Sequence, residues 1–237
     1  MKTWQEDQLY ALCGVASEHA LFEIIVPLAR DLGFDYCCYG LRMPLPLTQP
    51  KVAIFDNYPP DWQKKYRENN YLTVDPTVRH GMHSLLPVVW SDNLFVSTPE
   101  LWEDARSFGL QVGWAQASRG VNGMSGLLTL ARSGESISEV ELQDKERKMM
   151  WFAQAVHLGM SRLLAGKMLP ETSVQLSSRE VEILQWSGDG KTSSEIATIL
   201  NISERTVNFH VGNAMTKLNA ANKAAAVVRA AMLGMLH

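Results

Sequence analysis

The pattern of apolar residues changes in kind near residue 170, and this change most limits what the chain can fold into. Upstream of it, short runs with strand character alternate with amphipathic helical stretches. Downstream of Ser173 no strand pattern remains, and helical segments follow one another. Residues 166–174 are polar and contain a glycine and a proline, so they are predicted to form a linker. The 237 residues therefore divide into a domain at 1–165 and a second domain at 175–237.

The upstream domain is predicted to be an α+β fold built around one sheet. Its strand patterns lie at residues 35–42, 51–58, 86–90, 113–119 and 125–132. Its helical patterns lie at residues 5–15, 20–32, 60–68, 99–108 and 138–164. Long helices together with consecutive strands predict an α-β-α sandwich with a five-stranded antiparallel sheet.

The downstream domain is predicted to be all-α, and the starts of its helices carry capping signals. Ser177 is followed by Glu180 in the pattern of a capping box. A short helix at 192–200 leads through a tight turn into a longer helix that Ser203 caps, and a last helix is predicted at 223–236. The longer helix is predicted to bury a stripe of Val207, Val211, Ala214 and Leu218. A short helix, a turn and a longer helix with a polar outer face form the arrangement that places a helix in the major groove of DNA.

Composition argues against a disordered, a membrane-spanning or a disulfide-stapled chain. With 46% hydrophobic residues the chain can bury a core, yet its apolar runs stop far short of the roughly 20 residues that a spanning helix needs. The N-terminus is acidic and leads into no apolar signal segment, so a cytoplasmic location is expected. Cys13, Cys37 and Cys38 are odd in number and two of them are adjacent, so no disulfide framework is predicted.

The net charge of −3 is divided unevenly between the two parts of the chain. From Ser173 onward, six Lys and Arg stand against five Asp and Glu, which leaves +1 downstream and −4 upstream. This asymmetry is well below the strongly basic footprint of many DNA-binding domains, so charge alone does not decide the partner.

Three motif-like stretches do not meet the spacing of catalytic or cofactor sites. Residues 190–192, Gly-Lys-Thr, match the end of a phosphate-binding loop, but Gln185 stands where that loop requires a glycine. Residues 123–126 lack the spacing of the nucleophile elbow of hydrolases. His80 and His83 have no evident third metal ligand. No catalytic residue, metal or cofactor is predicted, and a lactone or ester hydrolase is the least favoured function.

The downstream domain resembles the LuxR-type helix-turn-helix over essentially its whole length. The similarity rests on LSSRE at 176–180, GKTSSEIA at 190–197, NISERTVNFH at 201–210, KL at 217–218 and NK at 222–223. The resemblance implies that the helix after Ser203 is the recognition helix, with Asn208, Phe209 and Gly212 towards the base edges. Asparagine can bond adenine through two hydrogen bonds, and an aromatic edge can contact a thymine methyl group. The residues implied near phosphates are Lys191, Thr192, Ser203, Arg205, Lys217 and Lys223.

Two positions of this recognition helix leave questions open. His210 fits either a packed histidine or a phosphate contact. Gly212 departs from a strongly basic recognition helix, so the domain is expected to bind DNA weakly as a monomer and to depend on a dimer.

The upstream domain resembles the autoinducer-binding domain of LuxR-type quorum-sensing receptors. The similarity rests on YPPDW at 58–62, Tyr66, YLTVDPT at 71–77, and the spacing of Trp90, Trp102, Ala105, Gly109 and Gly113. The run FDYCCYG at 34–40 with PLP at 44–46 is most similar to the CepR-like branch, which is associated with medium-length acyl chains. The resemblance implies an N-acyl homoserine lactone as ligand, with about eight acyl carbons.

Such a ligand offers an amide N–H, carbonyl oxygens and an apolar tail, so its buried site needs a carboxylate, hydrogen-bond donors and an apolar channel. We expect Asp75 to accept from the amide N–H, the Trp62 indole to donate to the lactone carbonyl, and the Tyr58 hydroxyl to donate to the acyl carbonyl. Thr129 matches a family position near the amide or acyl carbonyl. The lactone end is expected to be walled by Trp90, Trp102 and Ala105. The tail is expected to contact Cys38, Gly40, Val52, Ile54, Tyr66, Leu72 and Val78. Thr77 is also expected to be a ligand-binding residue.

Several of these residues also fit structural roles. Asp75 precedes Pro76 and fits a helix N-cap, and the tryptophans fit core positions. Tyr58 alone fits a strand-end aromatic with its hydroxyl in water. Cys37 and Cys38 are expected to pack and not to form a redox pair, because nothing in the neighbouring sequence favours a thiolate.

The resemblance also implies a mechanism. Ligand burial would complete the core of the upstream domain and favour a homodimer, whose two helix-turn-helix units would bind a palindromic site on double-stranded DNA and act with RNA polymerase. The helix at 138–164 is the first candidate for the dimer surface, although it equally fits a core helix, and the last helix is the second candidate. Two further interpretations stay open: a receptor for exogenous or non-lactone signals, and a regulator that its ligand releases from DNA.

Overall fold

The computed structural model describes residues 12, 14–120 and 122–236. Most of the helix predicted at 5–15 lies outside these described residues. The described residues form two compact units, the first comprising 12, 14–42, 52–120 and 125–164, and the second comprising 43–51, 122–124 and 165–236. No helix in the described part of the chain is long and apolar enough to cross a membrane.

The first unit is built on a five-stranded antiparallel sheet, as the sequence predicted. Its strands are β1 (Tyr36–Arg42), β2 (Val52–Asp56), β3 (Val88–Val89), β4 (Val112–Arg119) and β5 (Ser125–Arg132). The order across the sheet is β2-β1-β5-β4-β3, so β5 is the central strand. The strand predicted at 86–90 shortens to two residues. Pro87 has no N–H to give to the ladder, and the Leu85 carbonyl accepts from the Gln116 side chain instead of a strand partner.

The helices of the first unit lie mostly where apolar periodicity predicted them. They are α1 (Glu18–Asp31), α2 (Pro60–Glu68), α3 (Pro76–His83), α4 (Pro99–Ser107) and α5 (Glu139–Met168). A proline occupies the start of α2, α3 and α4, where its missing N–H leaves no hydrogen bond unmade. Helix α3 was not among the predicted helices, and α5 continues past the predicted end at Leu164 to Met168.

One face of the sheet carries large side chains that pack against α5. Tyr39 on β1 and His157 on α5 meet there, with 2.8 Å between the hydroxyl oxygen and Nδ1. Strand register places Leu128 and Gln116 in the same row as Tyr39. Successive residues of a strand face opposite sides, so this helical cover leaves the alternate positions of β1, β4 and β5 to the other face.

Arg132, at the end of β5, fixes the start of α5. Its two terminal nitrogens each donate to one oxygen of Glu141 at 2.8 Å, and Lys145 donates to the same carboxylate at 2.8 Å. The hydrogen bonds from these two cations lower the pKa of Glu141 to about 2. The long helix therefore begins at a position that the end of the central strand sets.

The second unit contains the predicted helices. They are α6 (Ser178–Gly188), α7 (Ser193–Leu200), α8 (Glu204–Lys217) and α9 (Lys223–Met232), preceded by a 3-10 turn at Pro170–Ser173 within the predicted linker. The capping box of Ser177 and Glu180 is present, and Thr192 forms a second one with Glu195. Ser203 caps α8, as predicted. Helix α9 ends at Met232, before the predicted end at residue 236.

Candidate functional site

The face of the sheet opposite α5 has a floor of small residues. Register aligns Cys38, Thr129 and Ala115 in one row across β1, β5 and β4, and Gly40, Leu127 and Ala117 in the next. A third row contains Tyr36, Ala131 and Gly113. A side chain built on Gly40 would meet no atom within 4 Å. The floor therefore has open space over Gly40 on β1, whereas Leu127 and Ala117 in the same row lie against Gly81 of α3.

An aromatic cluster stands beside this floor. It combines buried Trp62, Tyr71, Phe95, Trp102 and Ala105 with half-buried Tyr36, Tyr58, Tyr66 and Trp90. Rings of Phe95 and Trp102 are stacked with centroids 4.6 Å apart, and Trp62 lies edge-on to Tyr66 at 5.6 Å. The fold thus brings together six of the predicted ligand residues: Tyr58, Trp62, Tyr66, Trp90, Trp102 and Ala105.

Asp75 takes one of the two roles that the sequence left open, that of a helix cap. Its Oδ1 accepts from the backbone N–H of Thr77 at 2.8 Å and from the Thr77 hydroxyl at 2.6 Å, which caps α3. Its Oδ2 accepts from the Tyr66 hydroxyl at 2.9 Å. A carboxylate oxygen can accept two hydrogen bonds, so Oδ2 retains capacity for a further N–H donor.

Burial keeps the hydroxyl and thiol groups of this region protonated. It raises the pKa of Tyr58 well above its ordinary value, and the nearby Cys38 and Asp56 add to the shift. Burial likewise raises the pKa of the Cys38 thiol, and it raises the pKa of Cys37 to about 12. Tyr58 is therefore a hydroxyl donor at neutral pH. The two cysteines are thiols and not reactive thiolates.

The two tryptophans predicted at the lactone end differ in the hydrogen bonding of their indole N–H groups. Trp102 Nε1 donates to Asp92 Oδ1 at 2.6 Å, and the Arg106 guanidinium lies 5.0 Å over its ring. The Trp102 ring can therefore line the site, but its indole N–H already donates to Asp92. Trp90 Nε1 is buried without a partner among the described residues. The Trp90 ring lies on Gly113, where any side chain would collide with it.

The remaining predicted ligand residues are less uniform in their surroundings. Thr129 and Thr77 are buried, and Val78 and Leu72 are half-buried. Val52 and Ile54, predicted to contact the tail, are 39% and 44% exposed on the edge strand β2. Ala115 and Ala131 also belong to the floor, and no sequence pattern marks them, because only strand register makes them neighbours of Thr129 and Tyr36.

In the second unit, α7 and α8 form the helix-turn-helix, joined by a turn in which Asn201 is left-handed, with φ of 53°. The stripe predicted to be core is buried, with Val207 at 0% and Val211 at 7% exposure. On the opposite side, Phe209 is 63% exposed and Gly212 has open space around it. Helix α8 thus presents a solvent face that is free of its own core contacts.

Some residues predicted to lie near phosphates have partners within this unit. Lys217 Nζ donates to Glu180 Oε2 at 2.7 Å, and Glu180 is only 3% exposed. Lys223 Nζ donates to the Lys191 carbonyl at 3.4 Å. The hydroxyls of Thr192 and Ser203 take part in caps, while Arg205 and Asn208 are exposed.

Among the described residues, no group of His, Cys, Asp or Glu is placed to hold a metal ion. The features present are a small-residue floor, an aromatic cluster with the half-buried carboxylate of Asp75, and a helix-turn-helix. This combination defines a sensor of a small organic molecule joined to a DNA-binding unit.

Comparison with known families agrees with this class. A model described as "Autoinducer binding domain" matches residues 17–160, and one described as "Bacterial regulatory proteins, luxR family" matches residues 174–230. The chain belongs to the LuxR family and is an autoinducer-binding transcriptional regulator. The predicted family is thereby confirmed.

Individual relatives are similar over the full chain. The transcriptional activator protein AnoR of Acinetobacter nosocomialis is 48% identical over 238 residues, which cover 100% of both chains. The crystal structure of Escherichia coli SdiA has a TM-score of 0.87 at 34% identity and covers 99% of this chain and 98% of that chain. SdiA in complex with octanoyl-rac-glycerol has a TM-score of 0.85 at 35% identity, covering 99% and 96%. Because such relatives are regulators by name, the chain is a regulator and not a lactone hydrolase.

Proposed function

We propose that this regulator binds an N-acyl homoserine lactone of medium acyl length, about eight carbons. In this proposal the liganded chain forms a homodimer in the bacterial cytoplasm, binds a palindromic DNA site and acts with RNA polymerase in quorum sensing. The two DNA-binding units of a dimer match the symmetry of such a site.

The observation that carries the ligand proposal is the placement of polar groups relative to the floor. Trp90 covers the Gly113 end of the floor, and Asp75 Oδ2 has capacity for one more donor. At Gly40 the floor has no atom within 4 Å of where a side chain would begin. A polar head placed near Asp75, Tyr58 and Trp62 would leave an acyl tail to run along the sheet towards Gly40. Buried polar groups of a ligand need partners, and its apolar tail needs an apolar channel.

A second candidate is a receptor for an exogenous or non-lactone acyl compound. It is favoured by the complex of SdiA with octanoyl-rac-glycerol, in which an eight-carbon acyl chain carries a glycerol head and no lactone. The same complex supports an octanoyl-sized tail for either candidate. The head group is therefore what an experiment must decide.

The test is the melting temperature of the purified full chain with homoserine lactones that differ only in acyl length, and with octanoyl glycerol. A ligand that binds only the folded state stabilises it by about 2.7 kcal/mol when present at 100 times its Kd. We expect the largest shift with the octanoyl lactone. A shift with octanoyl glycerol alone would support the second candidate, and no shift with either would contradict both.

For DNA binding we propose that Asn208 and Phe209 on α8 contact base edges and that the exposed Arg205 contacts a phosphate. The surfaces of α5 and α9 are our candidates for the dimer. Asn208→Ala is expected to reduce affinity for a selected palindromic site by about 1 to 3 kcal/mol. An equal loss on random DNA would show that Asn208 is not a base reader. Binding assays with and without ligand also test the alternative in which the ligand releases the protein from DNA.

A further inference from the structure

The segment that joins α3 to β3 exposes three large apolar side chains in succession. Met82 is 47% exposed, Leu85 is 50% exposed and Leu86 is 72% exposed. Single exposed apolar residues are ordinary on protein surfaces, whereas a contiguous group marks a site of interaction. These three residues lie within five positions of one another in the first unit.

The backbone of this segment is held in place by side chains of the first unit. The Met82 carbonyl accepts from Arg119 at 2.7 Å, and the Leu85 carbonyl accepts from Gln116 at 3.2 Å. The Leu86 carbonyl lies 2.8 Å from His80 Nε2, which is therefore the donor. Each of the three residues thus turns its carbonyl to the protein while its side chain is exposed. A surface ordered in advance loses less entropy on binding.

The exposed face continues onto α3. Arg79, Met82 and His83 are exposed at helical spacing, while Gly81 on the other side of α3 lies against Ala117 and Leu127. The inner side of the helix is therefore occupied by the sheet. The outer side has no cover among the described residues.

The charged residues beside these apolar residues are arginines. Residues 76–91 and 112–134 contain no Asp or Glu, and they supply Arg79 and Arg119 to this surface, together with the polar side chain of His83. Arg119 uses only part of its five donors on the Met82 carbonyl and the Ser125 hydroxyl. A partner that matches this surface carries apolar side chains flanked by carboxylates.

We propose that this surface, formed by Arg79, Met82, His83, Leu85, Leu86 and Arg119, docks an acidic amphipathic helix of another protein. A helix with a leucine stripe flanked by Glu or Asp is complementary both to a narrow apolar group and to the cations beside it. A lipid surface fits less well, because polybasic segments that bind anionic membranes contain clusters of cations, and this surface has two arginines and no lysine.

The test uses the purified full chain and two labelled synthetic peptides of roughly five helical turns. One peptide has a leucine stripe flanked by Glu, and its twin has Lys at each Glu position. We expect the acidic peptide to bind about tenfold more tightly than the basic twin, and its binding to weaken with salt. The double variant Leu85→Ser/Leu86→Ser is expected to weaken binding of the acidic peptide by at least about tenfold, because each leucine loses its buried area.

Two further variants make the result specific. Arg79→Glu keeps the apolar residues and is expected to reduce the preference for the acidic peptide. Val96→Ser is the matched control, because Val96 is 79% exposed and lies outside both this surface and the candidate dimer helices, and it is expected to leave binding unchanged. Equal binding of both peptides, or unchanged binding by the double variant, would overturn the proposal. The proposal would also be overturned if the wild-type chain formed an oligomer that the double variant abolishes. The same holds if the wild-type chain bound anionic phospholipid vesicles and the double variant did not.

Discussion

At the scale of single residues, the two oxygens of Asp75 have different partners, and only one of them is used by the helix cap. Oδ1 completes the cap of α3 through Thr77, whereas Oδ2 accepts from the Tyr66 hydroxyl. The sequence offered cap and acceptor as alternatives because the dipeptide Asp75-Pro76 shows a helix start and nothing of Tyr66. The contact with Tyr66 depends on the packing of α2 beside α3, which no local pattern encodes.

Asp75→Asn separates these two roles. Asparagine is as good an N-cap as aspartate, so the melting temperature without ligand is expected to stay close to that of the wild type. The amide places an NH2 group where Oδ2 stood, so the proposed ligand N–H would meet a donor and the ligand-induced shift is expected to vanish. Asp75→Ala loses the cap as well, so its unfolding free energy should fall by about 1 kcal/mol and its melting temperature should decrease. A full ligand response in Asp75→Asn would remove Asp75 from the site.

His157 predicts a loss of stability in mild acid. Its Nδ1 meets Tyr39, its Nε2 has no partner among the described residues, and burial lowers its pKa from 6.5 to about 4. The unfolded chain therefore takes up a proton at higher pH than the folded chain. The stabilising contribution is complete above pH 6.5 and is lost as pH falls towards 4, with about 2 kcal/mol lost by pH 5.

The measurement for His157 is urea unfolding of wild type and His157→Gln at pH 7 and at pH 5. Glutamine can still accept from the Tyr39 hydroxyl but does not titrate, so its unfolding free energy should fall less between the two pH values. Equal decreases in both proteins would show that other groups cause the acid sensitivity.

At the scale of elements, periodicity was sufficient for the long helices and for four of the strands, because each presents a continuous apolar face. Helix α3 was not predicted because it is short and contains a proline and a glycine. Its buried side includes Thr77 and Gly81, which do not form an apolar stripe. Sequence periodicity also did not predict the floor under the candidate site, for a different reason. Cys38, Thr129 and Ala115 are far apart in sequence and become neighbours only through strand register.

Lys217 links the end of α8 to the start of α6, and this contact predicts its effect on stability. Burial opposes a charge on Glu180, but the hydrogen bonds from Lys217 and from the Ser177 backbone outweigh it and lower the pKa of the carboxyl. Lys217→Gln leaves that buried carboxylate with one fewer charged donor. We expect the unfolding free energy of the full chain to fall by about 1 to 3 kcal/mol.

Arg205→Gln is the matched control, because Arg205 is exposed near the other end of the same helix. Removing a phosphate contact lowers the slope of DNA affinity against salt by about 1. We expect this decrease for Arg205→Gln with unchanged stability, and the reverse for Lys217→Gln. A decreased slope with unchanged stability in Lys217→Gln would instead assign Lys217 to the DNA, as the family resemblance implied.

At the scale of the whole molecule, the change of pattern near residue 170 predicts a boundary between a sensor and a DNA-binding unit, whereas residues 43–51 and 122–124, far upstream of it, group with the second unit. The motifs then identified the family, which the matches over residues 17–160 and 174–230 confirm. What the sequence leaves open is thermodynamic: which direction the ligand shifts DNA binding. Both signs are compatible with the same fold, since a ligand acts only through its different affinities for two states.

Linkage gives this question a measurable form. If the octanoyl lactone raises affinity for a palindromic site by some factor, that DNA must raise affinity for the lactone by the same factor. We expect a rise of about 5- to 150-fold for the wild type, because a ligand that favours the dimer brings two recognition helices to one site. Titrating DNA with and without lactone, and lactone with and without DNA, gives two independent ratios that must agree. Asp75→Asn should keep the DNA affinity of the unliganded chain and show a ratio of one, whereas a wild-type ratio below one would establish a regulator that its ligand releases from DNA.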